Sequence, residues 1–257
     1  MHRVRTLARR LLGGRPLAGA PSPIQTSDDP EVLFPGLYER TITLGCSRWR
    51  WGHLYNDQAL VFLCHLAAYG TGPVVEFGTF DGRTTYNLAL NLPVGGEVLT
   101  IDAGIVHDPS NVEGKAYGSF VPGECFLDAL PDVRSRIRFI QADSRQVDLS
   151  DWYGRAGLVI VDGGHAHDVC VSDTVLALKL VRPGGVIVWD DYTPYWPGVK
   201  QTLDALVRMV PLTYYPRIGL VVYADRRPGT ASADPAAAAR ALRSHAAPSA
   251  EGRIRGG

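Results

Sequence analysis

Val74-Val75-Glu76-Phe77-Gly78-Thr79-Phe80-Asp81-Gly82-Arg83-Thr84-Thr85 decides the architecture of this chain. The short apolar run Val74 to Phe77 has the composition of a buried strand, and the glycines punctuate a turn into a helix start. Gly78 lets the backbone turn tightly, while Gly82 leaves room for a ligand to approach the new helix, where Thr79, Thr84 and Thr85 offer hydroxyls. In open α/β sheets ligands bind at such carboxyl ends of strands.

Working outward, the same alternation of short β-branched runs and helix-length amphipathic runs continues to about residue 225. Strands are predicted at Val74 to Phe77, Val98 to Ile101, Ile137 to Gln141, Leu158 to Val161 and Val186 to Trp189, with two more near Thr213 and Gly219. Helices fill the gaps, over Asn56 to Tyr69, Arg83 to Leu92, Val169 to Val181 and Val199 to Val210, each ended by a nearby Gly or Pro. This pattern predicts a doubly wound, Rossmann-like α/β domain over 31–225: a seven-stranded, mostly parallel sheet with helices on both faces. Between residues 103 and 124 lies a long aperiodic segment containing His107 and Asp108, of the length used by lids and binding loops.

The ends of the chain differ in composition. Arg3, Arg5, Arg9, Arg10 and Arg15 precede the first acid, Asp28, and Arg9 and Arg10 interrupt the apolar stretch that a secretory signal needs. Residues 1–30 are therefore expected to be a basic flexible arm, and 226–257, rich in Ala, Arg, Gly and Ser, a disordered tail. Lys plus Arg balance Asp plus Glu at 26 each, which argues against a nucleic-acid partner and for a small molecule. No apolar run approaches the roughly 18 residues needed to span a bilayer. The four cysteines are widely spaced, with no zinc-site pattern, as expected of reduced thiols in a soluble cytoplasmic protein. Oligomeric state, a homo-oligomer included, is not encoded legibly.

The glycine turn lacks the third glycine of the dinucleotide fingerprint, which disfavours an NAD-dependent oxidoreductase. It has instead an acid, Glu76, two residues before the first glycine, suited to a ligand with a cationic amino group. Asp102, at the tip of the next strand, is placed for ribose hydroxyls, and Asp143 with Ser144, after the third, for an adenine amino group. Over about residues 72 to 225 this arrangement resembles class I S-adenosylmethionine-dependent methyltransferases. The resemblance implies that Glu76, Gly78, Thr79, Gly82, Thr84, Asp102, Asp143 and Ser144 bind S-adenosylmethionine.

A second group of polar residues follows the next two strands: Asp162-Gly163-Gly164-His165 and Asp190-Asp191-Tyr192. Three carboxylates facing one cleft are costly unless neutralised, and an all-oxygen set favours a hard cation such as Mg²⁺. His165 is the natural base beside it. With Pro183-Gly184-Gly185 and Trp189 ahead of the acid pair, these motifs resemble the macrocin O-methyltransferase group, which methylates sugar hydroxyls on macrolides. That resemblance implies Mg²⁺ on Asp162, Asp190 and Asp191, with His165 as catalytic base. The macrolide enzyme of that group carries Glu at the position of Asp190. Tyr192, Tyr195 and Trp196, directly after the acids, are expected at the hydroxyl acceptor, and the aromatic run Trp49, Trp51, His53 and Tyr55 packs near the sheet or the ligand. The expected activity is methyl transfer to a hydroxyl of a small molecule, a sugar or natural-product scaffold. A non-catalytic nucleotide-binding module is the other rival.

Overall fold

A computed structural model describes residues 24–46, 53–54, 56–104, 121–224 and 234–246. Each short apolar run is a strand: β1 (Gln25–Thr26), β2 (Val74–Phe77), β3 (Val98–Asp102), β4 (Ile137–Gln141), β5 (Ala156–Val161), β6 (Val181–Trp189), β7 (Thr213–Tyr215) and β8 (Leu220–Ala224). The helices among the described residues are α1 (Asp57–Tyr69), α2 (Arg83–Asn91), the short α3 (Glu124–Leu127) and α4 (Pro131–Arg134), α5 (His167–Leu180), α6 (Pro197–Leu206) and α7 (Pro235–Ala246). Asn56 caps α1 by accepting from the Ala59 amide, and Pro197 opens α6 where a missing N–H costs nothing.

The strand order is β1-β7-β8-β6-β5-β2-β3-β4. β2 through β6 pair in parallel, β8 runs antiparallel to β6 and β7, and β1 lies parallel to β7 at the edge. The chain builds outward from β2 through β3 to β4, then returns to place β5 on the other side of β2. The topological switch therefore falls between β2 and β5, where the carboxyl ends open a crevice.

Alternation along the strands explains the two cores. Val75, Phe77, Leu99, Val159 and Val161 face the side covered by Leu178, Leu203 and Leu242. Val74, Val98, Leu158, Ile160 and Val188 face Leu60, Leu63 and Leu88 on α1 and α2. Glu76 shares the parity of Val74, so it points toward α2 rather than into the first core. Trp189, fully buried at the end of β6, places its Nε1–H on Thr174 Oγ1 at 3.0 Å, which removes the cost of burying an indole donor.

Two expectations are corrected. The sheet has eight strands, not seven, because Gln25–Thr26 joins its edge. Both side chains of this strand are exposed, so its place depends on backbone pairing with β7 and leaves no alternating pattern to read. The C-terminal segment expected to be disordered contains α7, whose Ala238, Ala239 and Leu242 are buried in the first core. Its small alanines read as low complexity, yet they present an apolar face at helical spacing. Residues 1–23 and the 105–120 part of the long segment, His107 and Asp108 among them, lie outside the described residues.

Candidate active site

The glycine loop after β2 is shaped by close packing. Gly78 has φ +96°, and a Cβ there would lie 1.9 Å from the Asp162 carbonyl oxygen, so only glycine lets β2 end against β5. Gly82 has φ +83°, and a Cβ would meet the Phe126 ring at 2.5 Å. The space expected for a ligand over Gly82 is thus taken by Phe126 of α3. Phe80 also adopts a left-handed conformation, φ +50°, and its amide donates to Asp102 Oδ2 at 2.7 Å.

Glu76 is buried, and its Oε2 accepts from Thr85 Oγ1 at 2.5 Å and Thr100 Oγ1 at 2.6 Å. Burial pushes its carboxyl up to about 7, against the two hydroxyl donors, which favour the ionised form. Thr79 shares a hydrogen bond with Thr100, 2.6 Å between hydroxyl oxygens, so it braces Glu76 rather than facing solvent. Thr84, the neighbouring residue on α2, is half-buried. Asp102 accepts from the Phe80 amide on one oxygen and from the Gly104 amide, at 2.6 Å, on the other.

Asp143 caps the turn at Ser144–Gln146 and is gripped by Arg145, Nη2 to Oδ2 2.8 Å, whose bonds hold its carboxyl below the ordinary value. Ser144 Oγ donates to Asp173 Oδ1 at 2.5 Å. Asp173 was not singled out from the sequence, yet burial raises it to about 6. The readable signal was an acid placed between Cys170 and Ala177 on the core side of α5. His53, expected to pack near the sheet or the ligand, has its side chain buried on this loop. Its Nε2 lies 2.8 Å from Asp81 Oδ1 and its ring packs edge-on to Phe80. Trp49, Trp51 and Tyr55 lie outside the described residues.

At the ends of β5 and β6, oxygens of Asp162, Asp190 and Asp191 lie within 4.8 Å of one another. Burial, followed by the charge of Asp191, pushes the Asp190 carboxyl up to about 8, and burial with its acidic neighbours raises Asp162 as well. Asp191 holds φ +62°, a strained conformation that turns its carboxylate toward His165, Nε2 to Oδ2 2.7 Å. Trp196 stacks on the His165 ring, centroids 3.9 Å apart and planes 11° from parallel. The small cleft between these acids and His165 is lined further by Gly163, Gly164, Cys170 and Val199.

The three aromatics expected at an acceptor separate. Tyr192 is turned inward: its hydroxyl donates to Asp204 Oδ1 at 2.5 Å and its ring meets Tyr214 edge-on. An apolar ring next to the end of β6 gains more by burial than by exposure, which the adjacency in sequence does not reveal. Trp196 contacts His165 itself, and Tyr195 remains exposed. His167, at the start of α5, reaches Thr202 Oγ1 at 3.1 Å.

Residues 75–192 match the family model described as a methyltransferase domain. A flavonoid 3',5'-methyltransferase of Vitis vinifera is 28% identical over 162 residues, 61% of this chain. The chain spans 62% of that relative's length. Among solved structures, the calicheamicin methyltransferase CalS11 superposes with a TM-score of 0.51 at 17% identity, over 65% of this chain and 77% of that one. The O-methyltransferase NovP gives 0.50 at 16% identity, over 65% and 79%. At these identities the structural likeness establishes the fold. Among the described residues no helix is long and apolar enough to cross a membrane.

Proposed function

We propose that this chain, whose residues 75–192 are a methyltransferase domain, is an S-adenosylmethionine-dependent O-methyltransferase that uses Mg²⁺ and acts on a small-molecule hydroxyl, a sugar or natural-product scaffold. The observation that carries the proposal is the convergence, at one edge of the sheet, of Glu76 and Asp102 with the Asp162, Asp190, Asp191 and His165 cluster. The relative named as a flavonoid methyltransferase supports a hydroxyl acceptor on a natural product.

The donor set fits both groups. Glu76 is the acid for the cationic amine of S-adenosylmethionine, Asp102 has a lone pair left on each oxygen for the ribose hydroxyls, and Asp143 with Ser144 lies on the adenine side. S-adenosylmethionine supplies the methyl group as an electrophilic sulfonium. Asp162, Asp190 and Asp191 offer only oxygen ligands, and burial with mutual repulsion raises the carboxyls of two of them, which a hard divalent ion between them would offset. When bound, Mg²⁺ supplies charge stabilisation for the developing alkoxide.

The chain's own residues then orient and deprotonate. His165 takes the acceptor's proton on its imidazole, which Asp191 and the Trp196 face hold in a fixed plane. Asp191 favours the imidazolium that results. Positioning the hydroxyl in line with the methyl group contributes the larger part of the acceleration, as in other transfers between two bound reactants.

The test is S-adenosylhomocysteine release from purified protein given S-adenosylmethionine, MgCl₂ and a panel of phenolic and sugar hydroxyl acceptors. Turnover should fall at least about 100-fold in His165→Ala, Asp191→Ala and excess EDTA. Turnover unchanged in all three would refute the mechanism. Calorimetric binding of NAD without S-adenosylmethionine binding would refute the cofactor.

A further inference from the structure

Two cysteines 79 positions apart in sequence meet beside the cofactor loop. Cys46 Sγ and Cys125 Sγ lie 2.8 Å apart, and both are half-buried, within reach of a small oxidant. The contact is about 0.8 Å longer than the disulfide bond length of about 2.05 Å. The other two cysteines, Cys64 and Cys170, are buried, and burial pushes their thiols up to about 12 and about 11. They are poor nucleophiles in sealed surroundings.

The backbones carrying Cys46 and Cys125 are fixed to opposite flanks of the loop. The segment ending at Cys46 is laced to α2: Gly45 N–H donates to Asn87 Oδ1 at 2.8 Å, Asn87 Nδ2 donates to the Cys46 carbonyl at 3.0 Å, and Asn91 pairs with both backbone groups of Thr43. Cys125 lies on α3. Its amide donates to the Asp81 carbonyl at 2.8 Å, the Gly123 amide donates to the Phe80 carbonyl at 2.9 Å, and Phe126 covers Gly82. A bond between the two sulfurs would therefore join the segment over α2 to the helix that rests on Phe80, Asp81 and Gly82.

We propose that Cys46 and Cys125 form a redox-modification site, a reversible disulfide that staples α3 down onto the cofactor loop. The reaction is exchange with a small-molecule disulfide such as oxidised glutathione. One cysteine thiolate attacks a glutathione sulfur, the S–S bond of glutathione breaks, and one glutathione leaves as thiolate. The second cysteine thiolate then attacks the mixed disulfide on the protein sulfur and releases the second glutathione. Two protein thiols lose two protons and two electrons, and the oxidised glutathione is reduced to two thiols.

The full chain, equilibrated in glutathione buffers of rising oxidised fraction, is alkylated, digested and mapped by mass spectrometry. A crosslinked peptide pairing Cys46 with Cys125 should appear, while Cys64 and Cys170 are alkylated only after unfolding. Separate glutathione adducts on Cys46 and Cys125, or both recovered as thiols in the most oxidising buffer, would overturn the proposal. Oxidation should raise Tm by about 10 °C, the order expected for closing so long a loop. It should also slow amide hydrogen exchange across 80–83 and 121–127. Neither change should occur in Cys46→Ser or Cys125→Ser, which keep near-isosteric side chains and isolate the bond from general oxidation effects. Crosslinking without slower exchange in those two segments would refute the staple.

Discussion

Glu76→Gln tests the electrostatics at the base of the glycine loop after β2. In the fold, burial outweighs two threonine donors and moves this carboxyl from 4.5 to about 7, which corresponds to about 3 kcal/mol between its protonated and ionised forms. The folded state holds the proton more tightly than the unfolded chain does. The stability that this proton confers is therefore fully present below pH 4.5 and is lost as pH rises through about 7. Gln keeps the shape and the hydrogen-bonding oxygen but cannot ionise, so its stability carries none of this dependence.

The assay is urea unfolding of the ligand-free wild-type and Glu76→Gln chains at matched pH values from about 5 to about 8. Titrating groups that do not interact with Glu76 cancel in the difference between the two, which should fall by roughly 2–3 kcal/mol over that range, most steeply below pH about 7. A difference that stays flat, or rises with pH, would mean that Thr85 and Thr100 hold an ionised carboxylate and that burial does not dominate.

Other perturbations probe separate parts of the argument. Affinity for S-adenosylhomocysteine, measured calorimetrically, should rise with pH up to about 7, because a ligand ammonium favours ionised Glu76; the dependence should vanish in Glu76→Gln. Gly78→Ala, with its Cβ driven onto the Asp162 carbonyl, should lose at least about 2 kcal/mol of stability in urea unfolding. Leu242→Ala should cost about 2–4 kcal/mol if α7 is docked on the sheet, and less than about 0.5 kcal/mol if that segment is loose. Magnesium binding should release protons, seen as a buffer-dependent calorimetric enthalpy, since burial and neighbouring acids raise the Asp162 carboxyl and push that of Asp190 up to about 8; affinity should rise with pH to about 8.

The doubly wound sheet was legible because its strands are short, apolar and separated by Gly or Pro, so the period and the punctuation agree. What escaped was set by backbone pairing or by contacts between distant segments. Gln25–Thr26 enters the sheet with two polar, exposed side chains, and nothing in its composition marks it. The acids at the strand tips were legible as positions but not as states. That Asp102 spends both oxygens on backbone amides, or that Asp143 is already gripped by Arg145, follows from loop conformations such as the positive φ of Phe80. Tyr192 illustrates the same limit. Its neighbours in sequence point to the cleft, whereas its ring is claimed by Tyr214 and Asp204.

The two halves of the sheet edge treat buried charge in opposite ways, and this difference bears most directly on the metal. Beside β2, β3 and β4 the acids have internal donors: two hydroxyls for Glu76, two amides for Asp102, Arg145 for Asp143 and the Ser144 hydroxyl for Asp173. On the other side Asp162 experiences only influences that raise it, burial and the charges of Asp190, Asp191, Glu76 and Asp102. Asp191 pairs directly with His165 from a left-handed backbone, while His165 and the Asp191 amide only partly offset the burial of Asp190. The mutual repulsion of these buried carboxyls can be relieved by shared protons or, as proposed, by a cation between them. If Mg²⁺ occupies the cleft as proposed, it competes with protons for the same oxygens, so its removal should not unfold the domain but should let these carboxyls take up protons.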